Sequence, residues 1–422
     1  MKLQKISMAN YRGFEQLDVQ FDPNVTVIAG VNGVGKSGLL HALTILFSQA
    51  LPKIAASKAT AMTFEPSDIR VGKENHVVSI EYEVQDNVIH EVYQYAPEGM
   101  SIHGWHAETT GGNDDQTDAE AYTRATELAS ELKKRPDQPL VIFFSTRRQL
   151  PGTIKTIPKP EPYEVKQAYV GALRDREVAL REFVAWFHAQ EVLSAGDAKP
   201  GRRQKTIQRV RSVVTSFLPE FENLRIEHDP VRMVVEKAGV PLAINQLSDG
   251  ERGLLAMLFD ITRRLSIANP QLNDPVADGQ AIILVDEIEL HLHPVWQRQV
   301  IERFTETFRN CQFVVTTHSP LLLGEVAAKS VRFLYREDGR VKCYTPSHAL
   351  GLSVNRILEE FMQVDTRDTE VQSKLDELFR SIDDEKFETA RAKIEKLAEV
   401  IGESDPELIR AKSMLAFLEG IE

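Results

Sequence analysis

The sequence predicts an α/β fold: a domain built on buried strands, a helical insertion within it, and a C-terminal α-helical domain. Three observations predict it. Val25-Thr26-Val27-Ile28-Ala29, a β-branched apolar run that reads as a buried strand, leads straight into a glycine-rich loop and a helical segment. Ala281-Ile282-Ile283-Leu284-Val285 is a second apolar run, closed by the acids Asp286-Glu287. From Pro346 onward, apolar residues recur at helical spacing.

The glycine loop is Gly30-Val31-Asn32-Gly33-Val34-Gly35-Lys36-Ser37, the pattern G-x-x-x-x-G-K-[ST], and Gly38-Leu39-Leu40-His41-Ala42-Leu43 opens the helix behind it. Glycines lack Cβ, so backbone amides can curl around phosphates, and the helix N-terminus adds partial positive charge. Asn32, Gly33, Val34, Gly35 and Gly38 are thus expected along the phosphate cradle. Lys36 would reach the β- and γ-phosphates of ATP, and the Ser37 hydroxyl would ligate Mg2+. Further on, His76 to Val84 and Val88 to Tyr95 read as a hairpin about Gln85-Asp86-Asn87. Thr109 to Asp118 is polar and reads as a mobile loop. Leu140-Val141-Ile142-Phe143-Phe144 reads as a strand, and Tyr163 to Leu193 as helical, with Val178, Leu180, Phe183, Val184 and Phe187 apolar.

Lys199 to Arg211 carries six basic residues and no acid. Two readings compete there: a solvated loop and helix face, or a polynucleotide phosphate contact through Arg202, Arg203, Lys205 and Arg209. Leu247-Ser248-Asp249-Gly250-Glu251 precedes an amphipathic run, which makes Ser248 a helix N-cap whose hydroxyl, with the Gly250 amide, could meet an anion. In the acid-ended strand, Asp286 would hold Mg2+ through water and Glu287 would polarise the attacking water as general base. His291 and His293 stand two apart, which points them to different faces, and no His-Glu-x-x-His spacing occurs, so they argue weakly for a metal. Phe313-Val314-Val315-Thr316-Thr317-His318 is a further strand, ending in a histidine.

Composition narrows the class. Apolar residues at 42% and charged residues at 27% are those of a globular chain, and 50 basic against 62 acidic residues give a net charge of −12. A basic nucleic-acid coat is excluded, though a local basic strip is not. No run of about 18 apolar residues offers a membrane span. The first ten residues are too polar for a signal peptide. The only cysteines, Cys311 and Cys343, fit a reducing cytoplasm.

The order of glycine loop, Leu-Ser-x-Gly, Asp-Glu and strand-His resembles the ABC-type ATPases, in the branch with RecF, SMC and the overcoming-lysogenisation-defect proteins. The resemblance covers about 1–50 and 230–345, and Asn10-Tyr11-Arg12-Gly13-Phe14 matches the branch's opening signature. It implies a P-loop ABC-type ATPase domain, ATP with Mg2+, and a head-to-tail homodimer around two nucleotides, or a larger oligomer. It also implies that Arg12 lies near the nucleotide, that Ser248 and Gly250 act on the partner's γ-phosphate, and that His318 is a switch histidine sensing γ-phosphate. Asp249 and Glu251 depart from the Gly and Gln that transporters favour, and a carboxylate beside phosphate is repulsive. Phe143 to Gln149 is the candidate region for the family's glutamine loop, with Gln149 as its glutamine.

Domain boundaries follow: ATPase domain, first part, 1–160; helical insertion with the basic strip, 161–225; ATPase domain, second part, 226–345; C-terminal helical domain, 346–422. Three amphipathic helices are expected in the last, on Val371, Leu375, Leu378, Phe379 and Ile382, then Phe387, Ile394, Leu397 and Ile401, then Ile409, Met414, Leu415 and Leu418. Such a tail holds no strand-borne metal carboxylates of the kind the overcoming-lysogenisation-defect nucleases carry, so this chain is expected to cut nothing alone. Length, motif variants and tail most resemble the ATPase subunits of Septu antiphage systems and of retron-associated effectors. That resemblance implies an HNH nuclease partner and, in retrons, a reverse transcriptase with its RNA–DNA product. The alternative is a RecF-like repair ATPase that binds DNA without a nuclease partner.

Overall fold

The computed structural model describes residues 1–422 apart from 58–59, 86, 110–117, 136, 149, 151–155, 158, 160–162, 176, 179, 196–200, 363–366 and 420–422. The body of the polar stretch 109–118, Gln149 and Lys199 therefore lie outside the described residues. Contacts divide the chain into two compact units, Met1–Leu352 and Ser353–Glu422.

The first unit runs β1 (Lys2–Tyr11), β2 (Phe14–Gln20), β3 (Val25–Gly30), α1 (Lys36–Ile54), β4 (His76–Val84), β5 (Asn87–Ala96), β6 (Gly99–Thr109), α2 (Asp118–Lys134) and β7 (Leu140–Phe144). It continues with α3 (Leu180–Ala195), α4 (Arg202–Phe217), β8 (Phe221–His228), β9 (Val231–Lys237), β10 (Val240–Ala243), α5 (Asp249–Ala268), α6 (Pro275–Asp278) and β11 (Ala281–Val285). Then come α7 (Pro294–Thr307), β12 (Gln312–Thr316), α8 (Pro320–Leu323), β13 (Val331–Glu337) and β14 (Arg340–Tyr344).

Among the described residues these strands make three sheets. The central one has the order β14-β13-β3-β12-β11-β7, parallel from β13 to β7, with β14 antiparallel on the edge. Every residue of β11 and of β12 is buried, because helices and a second sheet cover both faces of a parallel sheet. That burial is why these strands read as unbroken apolar runs. The second sheet, β2-β1-β4-β5-β6, is antiparallel, and β4 alternates buried with half-buried residues because only one face meets the core. The third is β10-β9-β8. The hairpin read at 76–95 is β4–β5, in register from His76↔Tyr95 to Val84↔Asn87, and a third strand, β6, extends it.

The helical pattern read from Tyr163 becomes α-helix only at Leu180. Residues 165–168 form a single 3-10 turn and the chain then turns at Gly171, whose φ of 63° a helix cannot hold.

The second unit carries α9 (Val354–Glu360), α10 (Thr369–Asp383), α11 (Phe387–Ile401) and α12 (Pro406–Leu418). Leu375, Leu378 and Ile382 pack with Ala390, Ile394 and Leu397 and with Leu408, Ala411 and Leu415. The first two faces are those the spacing predicts. On α12 the buried face is Leu408, Ala411 and Leu415, while Ile409 and Leu418 are 51% and 48% exposed. This helix is apolar on more than one side, so periodicity alone does not choose its inner face.

Candidate active site

The phosphate loop hangs between β3 and α1. Gly35 has φ 112°, and a Cβ there would stand 2.5 Å from the Phe14 ring. Phe14 of the opening motif is thus the lid that demands glycine at that loop position. Gly33 turns the loop at φ 74°, Asn32 is exposed, and the Val34 amide donates to the Val31 carbonyl at 3.4 Å. Lys36 Nζ donates to the carbonyls of Gly30 at 2.7 Å and Val31 at 3.2 Å, and lies 3.3 Å from His318 Nδ1. Burial lowers the Lys36 pKa to about 8, against the raising pull of Glu289, Glu287 and Asp286. His318 is also lowered, by burial first and then by Lys36, and is a neutral imidazole at pH 7.

Opposite the loop stand the acids. Because β12 lies between β3 and β11, its last residue, Thr316, faces both. Thr316 Oγ1 donates to Asp286 Oδ1 at 2.6 Å and accepts the Glu287 amide at 2.8 Å. Ser37 Oγ donates to the same Asp286 Oδ1 at 3.1 Å. Glu287 itself has φ 47°, in the left-handed region. Lys36, Ser37, Asp286, Glu287 and His318 are thereby brought into one cluster. The oxygen donors of Ser37 and Asp286 suit a hard cation such as Mg2+.

Two residues of this cluster escaped the sequence reading. Arg148 follows β7, which pairs with β11 up to Phe144↔Val285. Its guanidinium is 4% exposed and donates to the main-chain carbonyls of Asp286 at 2.6 Å and Glu287 at 2.5 Å. Burial pulls its pKa down to about 10, with Glu289, Asp286 and Glu287 opposing. Glu289 accepts the His318 amide at 2.5 Å and so ties the loop after β11 to the loop after β12. Arg147-Arg148 is a local doublet in which nothing marks one arginine over the other; only the β7–β11 pairing does.

Arg12 sits beside the first turns of α1. It donates from Nε to Asp68 Oδ1 at 2.7 Å, meets His41 Nδ1 at 3.1 Å from Nη2, and lies over the Tyr11 ring at 5.4 Å. A Cβ on Gly38 would touch its Cδ at 3.6 Å. The partners Asp68 and His41 carried no sequence signal, being ordinary residues made special by this contact.

Ser248 is the N-cap of α5 in a capping box. Its Oγ accepts the Glu251 amide at 3.4 Å, and the Glu251 carboxylate accepts the Ser248 amide at 2.9 Å and hydroxyl at 2.8 Å. Lys237 Nζ donates to the other Glu251 oxygen at 2.6 Å, and Asp249 pairs with Arg252. Both carboxylates expected to repel phosphate are therefore partnered within the chain. Gly250 packs so tightly that a Cβ would lie 2.2 Å from the His291 carbonyl oxygen. His293 is a helix cap, its Nδ1 accepting the Val295 amide at 3.4 Å.

The basic strip forms the start of α4. Arg202 donates to the Leu272 carbonyl at 2.9 Å and Arg209 pairs with Asp274 at 3.2 Å, so two of its cations are engaged by the segment after α5. Lys205 is exposed and Arg203 half-buried.

Comparisons with known proteins agree with this geometry. Residues 1–156 match the AAA ATPase domain family model, and 158–324 match an AAA domain model whose description refers to the AbiEii toxin and a type IV TA system. These matches show an ATPase. The chain is similar to the retron Ec83 probable ATPase of Escherichia coli, 27% identical over 98% of this chain and 86% of that protein. It is also similar to the retron Vc95 probable ATPase of Vibrio cholerae serotype O1 biovar El Tor, 26% identical over 82% and 76%. The Septu protein PtuA of Bacillus thuringiensis is 22% identical over 96% and 95%. Among the described residues no helix is long and apolar enough to cross a membrane.

Proposed function

We propose that this chain is the ATP-binding and hydrolysing subunit of an antiphage defence complex, Septu or retron in type, that acts in the cytoplasm and controls a separate HNH nuclease subunit resembling PtuB. The observation that carries the reading is the linkage of Ser37, Asp286 and Glu287 through Thr316, in a chain similar along nearly its whole length to retron ATPases and PtuA.

In this reading Lys36, the loop amides of Asn32 to Gly35 and the start of α1 hold the phosphates. Mg2+ would be held by Ser37 and Asp286, supplying positive charge against the β- and γ-phosphates. Glu287 takes a proton from the attacking water, and Arg148 and Thr316 fix the main chain that carries it. His318, beside Lys36, meets the γ-phosphate. Arg12 approaches the nucleotide from the α1 side. Ser248 and Gly250 complete the partner's site in a head-to-tail dimer, whose ATP-dependent geometry sets the surface offered to the nuclease. In a retron setting the complex would include a reverse transcriptase and its RNA–DNA product.

The test is affinity purification of the Glu287→Gln chain with ATP from cells expressing its native operon, with mass identification of what co-elutes. A stoichiometric small nuclease is expected. A lone ATPase that grips DNA in ATP, and releases it when Arg203 and Lys205 are neutralised, would instead assign it to DNA repair.

A further inference from the structure

Far along β5 and β6 from the nucleotide loop, one row of side chains crosses three strands. Glu81 on β4 stands opposite His90 on β5, and His90 stands opposite His106 on β6. Glu108, two residues on, shares that face of β6, because alternate residues of a strand point the same way. The two imidazoles lie parallel at 13°, with ring centres 4.8 Å apart. His90 Nε2 is 3.9 Å from one Glu108 oxygen, and His106 Nε2 is 3.8 Å from the other. One ligand atom from each of these three residues lies within 4.8 Å of the other two.

None of these separations is a hydrogen bond, for which about 3.2 Å is the usual outer limit. Two rings and a carboxylate converge without bonding each other, and tetrahedral ligation of a metal ion, with about 3.3 Å between ligand atoms, would draw them closer. Imidazole nitrogens are common ligands of such ions. The second ring nitrogen of His90 is also provided for. Nδ1 lies 3.7 Å from Glu81 Oε1, the place of the outer carboxylate that fixes tautomer and ring direction in carboxylate–histidine–metal arrangements. The side chains of His90 and His106 are 24% and 35% exposed, so an ion has access from solvent.

We propose that His90, His106 and Glu108 form a three-ligand site for a divalent transition metal of the Zn2+ class, with Glu81 orienting His90 from behind. Two imidazoles and one carboxylate select such an ion over Mg2+ or Ca2+, which prefer all-oxygen sites. Three protein ligands leave a fourth position for water. The ion ties β6, the edge strand, to β5.

The full chain, stripped with a chelator and free of nucleotide, is titrated with Co2+ as the probe. One Co2+ per chain is expected, with the visible absorption of a tetrahedral or five-coordinate centre, bleached by one equivalent of Zn2+. His106→Ala should lose the absorption while binding ATP as the parent does, which shows that it is folded. Glu81→Gln should keep the absorption and weaken Co2+ binding about 10- to 100-fold. Absence of the absorption from the parent chain would overturn the proposal. So would unchanged absorption in both His90→Ala and His106→Ala, which would place the ion elsewhere.

Discussion

Lys36 is held among main-chain carbonyls and beside His318, and burial brings its pKa to about 8. Below that pH the free protein presents an ammonium ready for phosphate; above it, binding must take up a proton. The affinity for ATP should therefore fall as pH rises through about 8, by up to about tenfold per pH unit. A Kd profile from about pH 6.5 to about pH 9.5 that stays flat would contradict the assigned environment. Glu287→Gln should lower kcat by about 100- to 10,000-fold while leaving the Kd for ATP within about twofold, read by steady-state turnover and by equilibrium binding. A different histidine reports on the core. His76 is fully buried among Tyr11, Phe64 and Tyr95, and neither ring nitrogen has a hydrogen-bond partner. Burial lowers its pKa to about 4 from the ordinary 6.5. Between those values the unfolded chain binds the extra proton, so stability complete above the ordinary value drains away as pH falls toward 4. The loss is on the order of 3 kcal/mol. His76→Phe should remove that component, seen as a smaller drop in urea-unfolding stability from about pH 7 to about pH 4.5 than the parent shows.

At the scale of single elements, α5 joins two roles: its N-terminus carries Ser248 and Gly250, and its body is pinned by charge. Asp260 is buried and receives Arg263 at 2.8 Å and Arg264 at 2.7 Å. Burial alone would raise its carboxyl, but Arg264 and Arg263 outweigh that and hold it well below the usual range. Arg264 also donates to the main chain of Ala168 and Val170, so the helix is fastened to the turn segment before α3. Asp260→Asn leaves two buried cations with too little counter-charge and should cost about 3–5 kcal/mol in chemical denaturation. A loss under about 1 kcal/mol would mean that the arginines find other partners. Which elements were legible in the sequence follows the same physics. The β3–loop–α1 unit and the acid-ended β11 were, because each is contiguous and its pattern is dictated by burial on both faces. Arg148 and Glu289 were not, since their roles come from a parallel strand pairing and a loop-to-loop contact. The turn at Gly171 was hidden under apolar residues that mimic helical spacing, and α12 offered two apolar sides.

The molecule as a whole divides at Leu352 and Ser353, and every residue of the nucleotide cluster lies before that break. A chain ending at Leu352 should therefore bind ATP within about twofold of the full protein by isothermal titration. Leu378→Asp, in the core that α10, α11 and α12 share, should melt the second unit and leave ATP binding intact. Loss of ATP binding in either variant would mean that the two units fold as one. One local feature also weighs on the fate of the entire chain. Glu287 holds a backbone angle that glutamate adopts at a cost of about 1 kcal/mol, one that asparagine or glycine would largely escape. A laboratory evolution run that rewarded only survival of heating would thus favour replacing this glutamate early, and would enrich chains that are sturdier than the parent and inert.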